Sequence, residues 1–291
     1  MTDSLDRLLD RVAPLLDRLE KMLPAGSQPP DWTCATAFRW RKRDGRGFLT
    51  PVRHPHAIAF ADLKDIDDQK KRLRENTAQF VAGRPANNVL LTGARGTGKS
   101  SLVKAALNEF AKRGLRLIEV DKGDLVDLPD IVDLVAQRRE RFIVFCDDLS
   151  FEASDGGYKS LKVALDGTIA GSADNLLIYA TSNRRHLMPE FMDENLETRH
   201  VGGEIHPGET TEEKISLSER FGLWLSFYPF DQDQYLDIAA HWVATLGGKV
   251  DEGLKAAALL WALERGSRSG RVAWQFAKDY VGRAGGARPR K

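Results

Sequence analysis

Cysteine is nearly missing: Cys34 and Cys146 are the only two in 291 residues. That leaves no disulfide framework for a small secreted scaffold, and Cys146, inside an apolar run, reads as a small hydrophobe. Long apolar runs are missing too. The longest uncharged one, Ala256 to Leu263, falls far short of the roughly 20 residues that span a bilayer. The first residues carry Asp3, Asp6 and Asp10 where a secretion signal would have a basic start and an apolar segment, so a cytoplasmic setting with no membrane partner is expected. Charge of one sign is lacking as well, since 43 Lys plus Arg against 42 Asp plus Glu give a formal net charge of +1. A chain so balanced exerts no global pull on nucleic acid, and any such binding would need a local patch. What remains, at 42% hydrophobic and 29% charged residues, can bury a sizeable core and reads as one medium domain with a smaller one.

The chain is organised around the run Asn88-Val89-Leu90-Leu91-Thr92, which feeds the loop GARGTGKS, Gly93 to Ser100, and then Ser101-Leu102-Val103-Lys104-Ala105-Ala106-Leu107. The pattern G-x-x-x-x-G-K-[ST] between a strand and a helix is that of a phosphate-binding loop. Gly93, Ala94, Arg95, Gly96, Thr97, Gly98, Lys99, Ser100 and Ser101 form the candidate binding set. A chain bending around phosphates must turn its N–H groups inward, which glycines allow, and the anion then sits on a helix N-terminus. Lys99 can reach the outer phosphates as a point charge, and the Ser100 hydroxyl can enter the oxygen shell of Mg2+. The plainer alternative is a glycine turn capping a helix.

Residues 1–23 place Leu5, Leu9, Val12, Leu16, Leu19 and Leu23 at steps of four and three, an amphipathic helical stripe interrupted by Pro14. It is read as a helix docked on its own chain or on a partner. Residues 24–56 read as a Pro-rich linker and then a hairpin, in which Thr36 to Trp40 and Gly47 to Val52 flank a basic tip, Arg41-Lys42-Arg43-Asp44-Gly45-Arg46. Basic residues beside Phe38 and Trp40 suit a nucleic-acid backbone and a base, while the plainer reading is a solvated loop over packed aromatics. Over 57–230, helix and strand patterns alternate as in a parallel sheet with crossovers. Strands are expected at Leu115 to Val120, Phe142 to Cys146, Leu176 to Thr181 and Leu223 to Phe227, with helices at Leu128 to Gln137 and Tyr158 to Ile169. Residues 231–285 read as a separate unit of three helices, Gln232 to Leu246, Gly253 to Glu264 and Arg271 to Val281. Residues 286–291 are a basic tail.

The strand Phe142 to Cys146 ends in Asp147-Asp148, which a parallel sheet brings to the carboxyl edge where the phosphate loop opens. Asp147 is the candidate metal carboxylate and Asp148 the candidate to polarise an attacking water; an acidic turn capping the next helix is the alternative. Glu152 is a reserve carboxylate. Asn183, just past the strand Leu176 to Thr181, offers a neutral amide that orients water without repelling phosphate, or is a plain turn residue. Arg184 and Arg185 follow it. Arg220 precedes the last strand and can project into another subunit's site, or pair with Glu219 or Asp231. Arg271, in the first turn of a helix, can reach back to the nucleotide and couple the lid to its phosphate state; Arg268 is second choice.

Taken in order, these residues resemble the AAA+ ATPases: Gly93 to Ser100 as Walker A, Phe142 to Asp148 as Walker B, Asn183 as sensor 1, Arg220 as arginine finger and Arg271 as sensor 2. The segment Asp62 to Gln69 resembles the motif that covers the adenine, with Ile66 as its apolar contact. The strings NNVLLTGARGTGKSSLVKA, FCDDLSFE, YATSNRRHL, EIHPGE and SERFGLWLSFYPF resemble, more narrowly, the bacterial family catalogued as domain of unknown function 815. The resemblance implies an α/β P-loop NTPase with a parallel sheet flanked by helices, a C-terminal helical lid, and an N-terminal helix plus β-hairpin. It also implies ATP and Mg2+, a slow ATPase acting as a remodeller or switch on a protein or nucleic-acid partner, and a homo-oligomer with nucleotide at its subunit interfaces. Two positions depart from the family pattern: Asp148 stands for the usual Walker B glutamate, and Asp65 for a frequent glycine. The loop Asp121 to Asp127 carries no aromatic, unlike that of polypeptide-threading relatives. The other function classes are an ATP-gated binding module without turnover and a nucleic-acid loader using Arg39 to Arg46.

Overall fold

The computed structural model describes residues 30–151, 156–166, 174–183, 199–201, 204–206 and 217–283. The chain divides into Met1–Trp32 and Thr33–Lys291, and the architecture is that of the second unit. The helix expected over 1–23, the linker residues 24–29, the tail 286–291 and the side chains of Glu152, Arg184 and Arg185 lie outside the described residues.

Seven strands form one sheet in the order β2-β1-β4-β5-β6-β3-β9. They are β1 (Ala37–Arg43), β2 (Arg46–Pro51), β3 (Val89–Gly93), β4 (Leu115–Glu119), β5 (Arg141–Cys146), β6 (Leu176–Ser182) and β9 (Leu223–Phe227), with β7 (Arg199–Val201) and β8 (Glu204–His206) as a separate antiparallel pair. All neighbours in the sheet are parallel except β1 and β2. Strands of a parallel sheet are covered on both faces, which is why the central ones read as unbroken apolar runs. Val89, Leu90 and Leu91 of β3 and Phe142, Ile143 and Val144 of β5 are completely buried.

Helices α1 (Asp67–Val81), α2 (Lys99–Phe110), α3 (Leu128–Val135) and α4 (Gly156–Asp166) flank the sheet. The buried face of α1 is Leu73, Asn76, Thr77 and Phe80, the spacing of one helical stripe. Its two polar members meet the Tyr179 hydroxyl, Asn76 at 3.2 Å and Thr77 at 2.8 Å. Burial pushes the Tyr179 hydroxyl's pKa up to about 12, so it serves as a neutral hydrogen-bonding group in the core.

The hairpin, expected as a segment apart from the α/β domain, is two strands of its sheet. β1 pairs with β4, Phe38 opposite Ile118. Its turn is also tighter than expected: Asp44 and Gly45, both with positive φ, suffice to reverse the chain, and Arg41 to Arg43 are strand residues. Three of the hairpin's basic residues are paired with acids of the same fold. Arg39 binds Glu119 at 2.7 Å, Arg41 binds Asp121 at 3.0 Å, and Lys42 binds Asp127 at 2.8 Å. Phe38 and Trp40 are buried, and the Trp40 indole N–H donates to Asp127 at 2.9 Å. The acids come from the end of β4, from Asp121 just beyond it and from the 3-10 turn Lys122–Asp127, so the aromatic-free loop adds side-chain ties to the β1–β4 ladder.

After β9 come α5 (Gln232–Thr245), α6 (Glu252–Glu264) and α7 (Gly270–Arg283). Asp231 and Gln234 form a reciprocal capping box at the start of α5, which commits Asp231 to the helix end. Asp251 caps α6 through the Leu254 N–H at 3.0 Å. These helices share an apolar core with the sheet: Tyr235, Ile238, Ala273 and Phe276 join the cluster that holds Leu91, Leu102 and Phe227.

Candidate functional site

β3 delivers the phosphate loop to the carboxyl edge. It ends at Gly93 opposite Phe227 of β9, and there is room for backbone alone: a Cβ on Gly93 would lie 1.9 Å from the Phe227 carbonyl oxygen, at a φ of +125°. That approach lets the Ala94 N–H donate to the same carbonyl at 3.1 Å. Thr97 Oγ1 ties the loop across itself by donating to Ala94 O at 2.8 Å. Gly98 is left-handed, and α2 starts from it at Lys99, so a helix N-terminus and the preceding loop share one concavity.

Lys99 is only 6% exposed. Its Nζ donates to the carbonyls of Gly93 and Ala94, both at 2.7 Å, and to Asn183 Oδ1 at 3.0 Å. Burial depresses its pKa from 10.5 to about 8; Asp148 and Asp147 counter this, while Arg95 and Arg271 add to it. A buried ammonium held by neutral oxygens beside a glycine loop suits a polyanion, which would supply the charge those carbonyls lack.

Facing the loop, β5 ends at Cys146 opposite Ala180 of β6, and Asp147 and Asp148 follow. Ser100 Oγ donates to Asp147 Oδ1 at 2.6 Å, and Thr181 Oγ1 donates to the same oxygen at 2.6 Å. Asp148 has a φ of +53°, and the Asn183 amide donates to its carboxylate. Among the described residues no group of three or more His, Cys, Asp or Glu could hold a metal ion. The Ser100 and Asp147 oxygens fit an ion such as Mg2+, which takes most of its ligands from phosphate and water.

Of the residues singled out in the sequence, Lys99, Asn183 and Asp148 are thus linked in one run of hydrogen bonds and Ser100 and Asp147 in another, with Thr181 bridging the two. Arg271 stands in the first turn of α7, over the loop: a Cβ built on Gly96 would lie 3.4 Å from Arg271 Cβ and 2.8 Å from Ser269. Arg95 and Arg271 are exposed. Ile66 is buried just before α1, and its Cδ1 would lie 3.5 Å from a Cβ on Gly98, so it borders the loop. Asp65 has a φ of +59°, which is the physical reason a glycine suits that place; Asp is among the side chains that tolerate it. Burial, with Asp237, Asp67 and Asp231 nearby, pushes the Asp65 carboxyl above its usual range.

Arg220 stands apart from this group. Its Nε donates to Asp166 Oδ1, at the end of α4, at 2.5 Å. An ion pair within the chain had been an alternative, but with Glu219 or Asp231. Asp166 comes from an element 54 residues back, which a reading of near neighbours does not reach. Thr181 and Ser182 were missed altogether. The available signal was that a run as apolar as Leu176 to Ala180 turns polar at its last two strand positions.

Residues 33–284 match the family model described as Protein of unknown function (DUF815). Among curated proteins, the chain is 26% identical over 245 residues to the ATP-dependent zinc metalloprotease FTSH 9 of Oryza sativa subsp. japonica, covering 76% of this chain and 30% of that protein. It is 32% identical over 125 residues to proteasome-activating nucleotidase 2 of Haloferax volcanii, covering 38% and 30%. The chain therefore spans about a third or less of the length of these curated relatives. Among solved structures, the FIGL-1 AAA domain in complex with ADP superposes with a TM-score of 0.51 at 17% identity, covering 78% of this chain and 74% of that one. A Thermotoga maritima RuvB variant does so at 0.50 and 15%, covering 79% and 67%. At such identities the likeness is one of fold.

Proposed function

The chain belongs to the DUF815 family and has the AAA+ P-loop fold, and from that premise we propose that it binds ATP with Mg2+ and hydrolyses it slowly, driving a change of state in a macromolecular partner. The observation that carries this reading is the hydrogen-bonded group Lys99, Asn183, Asp148, Asp147 and Ser100 at one sheet edge.

The loop amides and Lys99 bind the phosphates, and Ile66 packs on the base. Ser100 and Asp147 hold the metal, which when bound supplies positive charge to the phosphate oxygens. Asp148 accepts the proton of the attacking water, and Asn183 orients that water. Arg271 reports the phosphate state to the lid. Turnover is slow because the Asp148 carboxylate is one methylene shorter than the usual glutamate and, before nucleotide binds, is engaged by Asn183; an error of an ångström in placing a base costs about 100-fold.

That same engagement favours a second reading, an ATP-gated binding module in which hydrolysis is incidental. The nucleic-acid loader has less behind it, because Arg39, Arg41 and Lys42 are paired internally. Arg220 is assigned to a neighbouring subunit's site in a homo-oligomer, for which it would have to leave its pair with Asp166. Among the described residues no helix is long and apolar enough to cross a membrane.

The test is calorimetry and phosphate release with ATP and magnesium. Wild type is expected to bind and turn over, while Lys99→Ala loses both. Wild-type binding and turnover in Lys99→Ala would overturn the assignment.

A further inference from the structure

We infer that Thr181 is a positioning residue: its one hydroxyl sets the metal carboxylate Asp147 and the base Asp148 relative to each other. The inference rests on the ATPase reading above, but its observations are independent of any nucleotide.

The ladder between β5 and β6 runs in register to Cys146 opposite Ala180. Beyond it the Asp147-Asp148 segment bulges out, with Asp148 left-handed, before pairing resumes with the Leu149 N–H donating to Thr181 O at 2.7 Å. Ser182 Oγ donates to Leu149 O at 2.7 Å, closing the far side. A left-handed non-glycine residue must be held in place by its surroundings. Thr181 Oγ1 supplies the hold: it accepts the Asp148 N–H at 2.9 Å and donates its own proton to Asp147 Oδ1 at 2.6 Å.

A hydroxyl has one proton and two lone pairs, so it can do both at once, which neither a carbonyl nor an amide N–H can. Threonine suits the place for two more reasons. Its β-branch belongs in a strand and restricts χ1, so the oxygen points one way. Its residue is only 2% exposed, so water competes little for either bond. Asp147 receives a second hydroxyl proton from Ser100 at 2.6 Å. The carboxylate is therefore gripped from the loop side and from β6. Removing the Thr181 grip frees Asp147 and, through the backbone of the next residue, shifts Asp148 as well. One substitution, outside both carboxylates, should then damage metal use and proton transfer together.

The experiment compares Thr181→Val, which keeps the shape and removes the hydroxyl, with Thr181→Ser, which keeps the hydroxyl. In nucleotide-free protein, hydrogen exchange at the Asp148 amide is expected to quicken in Thr181→Val and to return towards the wild-type rate in Thr181→Ser, while the Leu149 amide stays protected in both. Binding of a fluorescent ATP analogue is then titrated with magnesium and with EDTA. The Thr181→Val protein should bind as wild type does in EDTA, but lose about 10- to 100-fold of the tightening that magnesium brings, the size expected for one hydrogen bond to a charged group. Turnover should fall through kcat, with Thr181→Ser restoring most of it.

Unchanged Asp148 exchange in Thr181→Val overturns the inference, as does equal loss of binding with and without magnesium, or failure of Thr181→Ser to rescue. Should Thr181→Val not fold, Thr181→Ser against Thr181→Ala decides by the same exchange measurement. Failure of the wild-type protein to bind the analogue at all would instead sink the ATPase reading, while the exchange result would still stand on its own.

Discussion

Replacing Gly93 by alanine tests whether the phosphate loop is held by the end of β9. Two costs add at this residue. The first is conformational, since a φ of +125° lies outside the left-handed pocket that side chains tolerate, a penalty of about 1–2 kcal/mol. The second is steric. The new Cβ would lie 1.9 Å from Phe227 O and 2.8 Å from its carbonyl carbon, both backbone atoms that cannot rotate aside. To reach an ordinary contact the strands must part by more than an ångström, which breaks the 3.1 Å bond from the Ala94 N–H to that carbonyl. A lost buried backbone hydrogen bond costs about 1–3 kcal/mol, so the total is about 2–5 kcal/mol. Gly114→Ala is the control, because its φ is +94° but nothing lies within 4 Å of the added Cβ; it should show only the conformational part, about 1–2 kcal/mol. Urea unfolding of both variants and the wild type measures the difference, and ATP binding should be lost in Gly93→Ala alone. If Gly93→Ala is no less stable than Gly114→Ala, the β9 carbonyl is not what fixes the loop.

Two further outcomes are expected. Because the folded protein holds Lys99 near a pKa of about 8 while its ordinary value is 10.5, the unfolded chain binds more protons between those values, so this amine's penalty is full below pH 8 and is relieved as pH rises towards 10.5. The unfolding free energy of wild type minus that of Lys99→Met should therefore rise with pH across that window, and a flat difference would refute the buried, charge-disfavouring site. Arg220→Ala should bind ATP as tightly as wild type yet lose turnover that depends on assembly, and mixing it with Asp148→Asn should restore part of that turnover; no restoration in the mixture would place Arg220 in its own chain's structure only.

Much of the fold and the loop was legible in the sequence because they rest on local rules. Val89 to Thr92 and Phe142 to Cys146 are unbroken apolar runs, the signature of strands covered on both faces, and each ends in residues whose chemistry suits the carboxyl edge. What was not legible depends on pairings between distant segments. The charges of Arg39, Arg41 and Lys42 read as part of a basic stretch, Arg39 to Arg46, until β1 lies against β4 and brings Glu119, Asp121 and Asp127 beneath them. Arg220 has a partner 54 residues away. Thr181 looks like the polar end of a strand, and its hold on two aspartates exists only because β5 and β6 are neighbours in register.

The departures from the family pattern follow the same physics. At Asp65 the backbone is left-handed, with φ at +59°, so the site asks for glycine, and aspartate is a substitute that the geometry admits at some cost. At Asp148 the backbone is also left-handed, at +53°, and there the proposed role as base requires a carboxylate, which glycine would not supply. Holding such a residue requires outside contacts, and Thr181 and Asn183 provide them from the same strand and the turn just beyond it. The geometry at residue 148 therefore depends on β6 as much as on β5. The end of β6 thus acts both as the place from which Asn183 meets Lys99 and as the brace for the two carboxylates, so a nucleotide that draws Lys99 away from Asn183 acts directly on the contacts that restrain Asp148.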